Sequence, residues 1–247
     1  MGIKETRTKI LIGLFLLSDI NFSPVLFDER FSKIFDLIFN QKTKGVISGL
    51  VKEGLIDHQN DQKLNQYQLT EKGFLALCLQ FPFVRFLRNI WDGKWRIISY
   101  EIPETKREIR DRLRRQMQGW GLGPWHRSFW LTPHPIINDL KDLIGAKEEE
   151  KYFQAFEADH IFGDREILIE KVWEKSKLDQ RYRQMFKIWH EILSKESDKI
   201  EKFKKVVAEY INLLKTDPGL PKELIGERWI GFEGWSIFKE IKNILLS

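Results

Sequence analysis

Between Phe31 and Leu79 the apolar residues change their period twice, and few folds accept that change in so short a stretch. Phe31, Ile34, Phe35, Ile38 and Phe39 fall at i, i+3, i+4, i+7 and i+8. That is one apolar face of a helix, with Ser23-Pro24 as its start signal. Asn40 marks a turn. Gln41 to Glu53 predicts a second helix, with Ile47, Leu50 and Val51 inward and Gly54 at its end. The period then drops to that of strands. Leu55-Ile56 and Tyr67 to Thr70 read as two short extended segments around a polar turn cluster, Asn60 to Asn65. A buried helix from Thr8 to Leu17 precedes this block, and a helix from Glu71 to Leu79 follows it. Three helices, a two-stranded ribbon and a further helix make a winged helix-turn-helix, assigned to residues 1–88.

Residues 89–175 read as a small α+β unit. Arg96 to Ile102 is a buried strand stopped by Pro103, and Thr105 to Gly119 a helix whose stripe is Ile109, Leu113, Met117 and Trp120. Pro124 to Thr132 is strand-like, Pro135 opens a short helix through Ile144, and Tyr152 to Phe162 is a weaker strand. A β-α-β-α-β order with short connections suggests a ferredoxin-like domain. Residues 176–247 read as helical. Ile200, Phe203, Val207, Tyr210 and Leu214 form a heptad-like stripe too short for a coiled coil, so two packed helices are expected. Asp217-Pro218-Gly219-Leu220-Pro221 breaks the chain before a last amphipathic segment. The fold class is α+β.

The single cysteine, Cys78, rules out an intramolecular disulfide and suits a reducing, cytoplasmic setting. The longest apolar run near the start, Ile10 to Leu17, is far shorter than the ~20 residues a membrane span needs. Net charge is +5, a mild excess whose distribution says more than its size. Residues 1–88 carry 12 basic and 9 acidic side chains, 89–130 carry 9 and 5, and 139–175 carry 6 and 11. Residues 176–216 return to 10 and 6.

The helix from Gln41 is the strongest functional candidate. Its outward positions are expected to be Gln41, Lys42, Thr43, Lys44, Ser48 and Lys52, the residue types that touch phosphates and base edges in a major groove. Gly45 and Gly49 are expected outward as well, which lets a backbone come close. Lys63, Asn65 and Gln66 at the ribbon tip reach the sugar-phosphate backbone or the minor groove. A second basic surface runs along Lys106, Arg107, Arg110, Arg112, Arg114 and Arg115, interleaved with Glu104, Glu108 and Asp111. Arg107, Arg110 and Arg114 are its candidate phosphate contacts. The competing and favoured reading is a solvated face with pairs such as Asp111 with Arg115, or an interface to the acidic 139–175 segment. Glu101, at a strand end, is a weak candidate for Mg²⁺ or Mn²⁺, and one carboxylate needs a symmetric partner. The five histidines, His58, His126, His134, His160 and His190, show no metal-ligand spacing, and no cofactor is expected.

Taken together, the winged helix, Trp91-Asp92-Gly93-Lys94-Trp95, Asp111-Arg112-Leu113-Arg114-Arg115 with Gly121-Leu122-Gly123-Pro124, and Asp217 to Leu224 with Trp229 and Gly231 resemble the phenylacetate-degradation repressor (PaaX-like) family. The resemblance covers nearly the whole chain in the same order. It implies a winged helix, a central ferredoxin-like domain and a helical C-terminal domain. It also implies a homodimer on double-stranded operator DNA, released by a small acyl-coenzyme A-like effector, with no catalysis and no membrane. The dimer contact is expected on the helix 105–120 or the helices within 178–214. The middle unit is also similar to the ferredoxin-like endonuclease subunit of CRISPR adaptation, through Ser99-Tyr100-Glu101-Ile102-Pro103 and Ser128-Phe129-Trp130. The alternative function is therefore a metal-dependent nuclease or CRISPR-linked factor using Glu101, although Glu101 stands where that family carries aspartate.

Overall fold

Capping side chains set where several of the helices begin. In the computed structural model, which describes residues 2–59, 65–126 and 128–247, Asp28, Asn40 and Thr70 each accept a backbone N–H from the residue three positions on. The first elements are α1 (Ile3–Leu17), β1 (Val25–Leu26), α2 (Glu29–Phe35), α3 (Gln41–Lys52), β2 (Ile56–Gln59), β3 (Gln66–Leu69) and α4 (Glu71–Cys78). The strands form one antiparallel sheet in the order β1-β3-β2. Helix α1 is buried all round from Ile10 to Leu16, and α2, α3, α4 and β3 pack against it.

Three local expectations change here. Ser23-Pro24 does not open a helix: Val25 and Leu26 pair with Tyr67 and Gln66, and α2 starts at its Asp28 cap. Helix α2 also ends early, because Asp36 turns left-handed at φ 48°, which leaves Ile38 exposed and Phe39 half-buried. In α3, Val51 is exposed and Val46 takes the inward place beside Ile47 and Leu50.

The next elements are β4 (Trp95–Tyr100), α5 (Arg107–Gly119), β5 (Gly123–His126), β6 (Phe129–Thr132), α6 (Ile137–Ile144), β7 (Phe153–Ala158) and α7 (Arg165–Trp173). The strand expected over 124–132 is in fact a hairpin. β5 and β6 pair antiparallel, with a register shift between Pro124 and His126. The element order is thus β-α-β-β-α-β, and the antiparallel sheet runs β5-β6-β4-β7. Ile98, Tyr100 and Trp130 share one buried face of the sheet with Leu113 and Met117 of α5.

Four helices complete the chain: α8 (Lys175–Ser194), α9 (Lys199–Leu214), α10 (Lys222–Ile225) and α11 (Ile230–Leu246). The chain divides into two compact units. One gathers Met1–Gln80, Arg181–Leu213 and Ile230–Ser247; the other gathers Phe81–Gln180 and Leu214–Trp229. In the first unit the rings of Trp189, Tyr210 and Phe238 pack together, and the indole N–H of Trp189 donates to the Val206 carbonyl at 3.3 Å. Trp235 of α11 stacks on Phe15 of α1 at 5.5 Å, and the Lys242 ammonium donates to the Leu17 and Ser18 carbonyls. These contacts tie α11 to the N-terminal block.

In the second unit, the Asp217–Pro221 breaker is part of the core. The Asp217 carboxylate accepts the Gly219 N–H at 2.7 Å. Gly219 is left-handed at φ 64°, and a Cβ there would lie 2.3 Å from the Pro82 carbonyl carbon, so only glycine fits. Among the described residues no helix is long and apolar enough to cross a membrane.

Candidate nucleic-acid interface

Helix α3 divides into two faces. Val46, Ile47, Leu50 and Thr43 are buried, while Gln41, Lys42, Lys44, Gly45, Ser48 and Lys52 are exposed. At about 100° per residue, Gln41, Gly45, Ser48 and Lys52 fall within about 60° of one another, with Lys44 and Lys42 on either flank. The centre of the exposed face therefore holds Gln41, Gly45 and Ser48 with Lys52 at its C-terminal end, and Lys44 and Lys42 add cations along its edges. Among the described residues neither Lys44 nor Lys52 enters an ion pair. At the ribbon, Gln66 pairs with Gln59 and is half-buried, and Asn65 is exposed just before it. Lys63 lies outside the described residues.

Thr43 corrects the sequence reading, since it does not face outward. It is 4 % exposed, its N–H is capped by Asn40 at 3.0 Å, and its hydroxyl donates to the Ile38 carbonyl at 2.6 Å. A capping Asn40 makes Thr43 the third helical residue, whose side chain turns back over the turn before it. That signal was present in the sequence. Thr43→Ala should accordingly lower the unfolding free energy by about 1–3 kcal/mol, as for a lost buried hydrogen bond. Denaturant melts measure this, and nucleic-acid affinity of the folded variant should stay near the parent's.

The basic stretch of α5 is largely neutralised inside its own unit. Arg110 pairs with Glu104 at 2.6 Å and with Asp111 at 3.7 Å, and Arg107 reaches Asp111 at 3.7 Å. Asp111 thus pairs with Arg107 and Arg110. Arg112 meets Glu149 at 3.4 Å and Lys106 meets Glu148, so the acidic segment is engaged within the unit. Arg114 lies over the Trp130 ring at 5.9 Å. The Arg110 hydrogen bond holds the Glu104 carboxyl below its usual range.

Glu101 follows β4 as an exposed residue, its N–H donating to the Tyr152 carbonyl at 3.1 Å. Among the described residues no cluster of three or more His, Cys, Asp or Glu side chains could hold a metal ion.

One buried polar group had no signal in the sequence. His134 sits in the second unit, stacked on Phe86 at 5.0 Å, with its Nε2 donating to the Pro218 carbonyl at 2.6 Å. Burial, and then the positive charge of Arg85, push its pKa down to about 3.

Comparison with known proteins decides the family. The model described as the PaaX protein central Cas2-like domain matches residues 88–167, and the PaaX-like protein C-terminal domain matches 173–247. The chain belongs to the PaaX-like family. Both matches of this PaaX-like chain begin beyond α3, so the family assignment rests on residues other than the candidate interface. Among solved structures, the uncharacterized protein Rv0674 from Mycobacterium tuberculosis is similar in fold. Its TM-score is 0.54 at 17% identity, over 98% of this chain and 96% of that one. The comparison with curated proteins returned no match.

Proposed function

We propose that the chain is a DNA-binding transcriptional regulator of the PaaX type, a repressor that acts as a dimer and answers to a small acyl-coenzyme A-like effector. The observation that carries this is the exposed face of α3. It presents Gln41, Lys44, Ser48 and Lys52 around Gly45, directly after α2 and directly before the β2–β3 ribbon. In this reading residues 1–80 include a winged helix-turn-helix, α3 is its recognition helix, and β2–β3 is its wing. The β5-β6-β4-β7 sheet with α5 and α6 is a ferredoxin-like domain. The chain is given no catalytic role.

The test is titration against fragments of the gene's own upstream region at stated salt. Affinity no better than for random DNA overturns the reading, because non-specific binding follows charge alone. Within that assay, Lys42→Ala, Lys44→Ala and Lys52→Ala should each weaken binding to every sequence. Each should reduce the salt slope by about one. Gln41→Ala should cost about 1–3 kcal/mol on the specific site and little on random DNA. Replacing both Arg110 and Arg114 by Ala should leave the slope nearly unchanged, since these cations already have partners in their own unit. A slope reduced by about two in that double variant would place the second unit on DNA.

A further inference from the structure

Two arginines are buried in the second unit, and only one of them has partners. Arg96 is 3% exposed, and each nitrogen of its guanidinium is used. Nε donates to Glu157 at 3.1 Å, Nη1 to Asp92 at 2.9 Å and to the Pro133 carbonyl at 3.2 Å, and Nη2 to Asp92. Arg85, in the 3-10 turn Pro82–Leu87, is 5% exposed. Among the described residues its side chain donates no hydrogen bond and enters no ion pair, and its Nε is buried without an acceptor. A buried charge without a counter-ion is costly to hold in a fold. Asp139 of α6 lies within reach of the Arg85 charge but makes no ion pair with it, and burial raises its carboxyl all the same.

A second unpaired group lies beside it. His134 is 1% exposed, and its ring is fixed by the Phe86 stack at 5.0 Å and by the Pro218 carbonyl at 2.6 Å from Nε2. A carbonyl can only accept, so Nε2 carries the proton. With its pKa held at about 3 the ring is neutral, and Nδ1 is a bare acceptor. That Nδ1 is buried and has no donor among the described residues. Phe86 follows Arg85 in the chain, and the Arg85 charge acts on the ring. The two side chains thus present one N–H that lacks an acceptor, one lone pair that lacks a donor, and one uncompensated positive charge. A bridging water would answer both hydrogen bonds and leave the charge. An anion that carries its own O–H answers all three.

We infer that Arg85 and His134 form a buried site for a small oxyanion that carries a proton, with Arg85 Nε–H donating to one of its oxygens and its O–H donating to His134 Nδ1. Near neutral pH hydrogen phosphate has that O–H, and a carboxylate gains it by taking up one proton from solvent. The other charged groups near Arg85 and the ring do not take the anion's place. Arg96 is a cation already paired with Asp92 and Glu157, and Asp139 makes no ion pair with Arg85. The site lies within one compact unit and rests on neither the DNA reading nor the dimer.

Isothermal titration of the full chain with phosphate, acetate and sulfate tests this, near neutral pH, at fixed ionic strength and in buffers free of other oxyanions. Phosphate or acetate should bind at one site per chain, acetate with uptake of one proton, which two buffers of different ionisation heat reveal. The tighter of the two assigns the ligand to the phosphates or to the carboxylic acids. Sulfate matches phosphate in shape but has no O–H near neutral pH. It should bind at least about tenfold more weakly than the tighter ligand, as for one lost hydrogen bond to a charged group. Arg85→Met removes the charge and the Nε donor and should abolish binding. His134→Gln keeps a donor for the Pro218 carbonyl but loses the Nδ1 acceptor, and should bring the tighter ligand down to the level of sulfate. The tighter ligand should also raise the melting midpoint of the parent and leave that of Arg85→Met unchanged. The comparison with sulfate needs only the parent, so a variant that fails to fold leaves the test standing. Binding of neither phosphate nor acetate overturns the inference. So does sulfate binding as tightly as the tighter ligand, or binding that Arg85→Met leaves unchanged.

Discussion

Acid should unfold this protein sooner than its carboxylates alone require, with the loss beginning near pH 6.5. The cause is His134, whose pKa falls from 6.5 to about 3 in the folded chain because burial and the Arg85 charge disfavour the imidazolium. The Pro218 carbonyl opposes that shift and is outweighed. In the unfolded chain the ring titrates normally. Below pH 6.5 the unfolded state therefore binds a proton that the folded state refuses. The stability His134 contributes is fully present above that pH and is lost as pH falls towards 3. The slope is about 1.4 kcal/mol per pH unit, so roughly 2 kcal/mol is gone at pH 5.

This window separates His134 from the carboxylates. Asp92 and Glu53 have folded pKa values held low by Arg96 and Arg7, so their contributions disappear at lower pH. Asp139, raised by burial, acts in the opposite direction, because its folded form takes up a proton more readily than its unfolded form. Denaturant melts between pH 7.5 and 5 measure the effect. His134→Gln keeps an amide donor for the Pro218 carbonyl but cannot titrate. It should be less stable than the parent at pH 7.5 and lose the slope below pH 6.5. A parent profile that is flat from 6.5 to 5 would mean the ring accepts a proton in place.

The elements were legible in the sequence where one local rule governed them. The α3–β2–β3 succession announces itself by a helical period followed by an alternating one, and α5 by its stripe of Leu113, Met117 and Trp120. Errors arose where backbone turns override side-chain period. Ile38 and Phe39 continue the α2 stripe in sequence, but the left-handed Asp36 has already ended the helix. The hairpin inside 124–132 was hidden because both of its arms are strand-like and the turn between them carries no Asn-Gly or Asp-Gly pair.

Long-range consequences were less legible still. That Arg112 meets Glu149 depends on how α5 meets the segment before β7. Nor does any local pattern show that His134 lies under Pro218, 84 positions away in the chain. At the candidate interface, Gln41, Lys42, Lys44, Ser48 and Lys52 are exposed as their polarity suggests, whereas Thr43 is buried, where a cap outranks a polarity rule.

Two glycines of the N-terminal block should respond to the same methyl group with opposite signs. Gly73 lies in the first turn of α4, where a Cβ would stand 1.9 Å from the Leu55 carbonyl oxygen. That oxygen also accepts the Thr70 N–H and hydroxyl, at 3.2 and 3.1 Å, while Thr70 caps Gly73 at 3.0 Å. Backbone cannot yield as a side-chain tip can, so Gly73→Ala must lift α4 away and break the cap with it. The expected loss is roughly 3–4 kcal/mol, overpacking plus one lost cap. Gly45 is the contrary case, exposed on α3 with nothing within 4 Å of its Cβ. A mid-helix glycine costs about 0.5–1 kcal/mol relative to alanine, so Gly45→Ala should raise stability by that amount. Nothing within the described chain explains why α3 carries that cost, whereas a DNA backbone pressed against the helix would. On the proposed reading the same substitution therefore weakens specific DNA binding by roughly tenfold, the equivalent of about 1.4 kcal/mol of crowding at the contact. Melting and titration of one sample decide it. A Gly45→Ala protein that is more stable and binds as tightly as the parent would show that this part of α3 does not approach DNA closely.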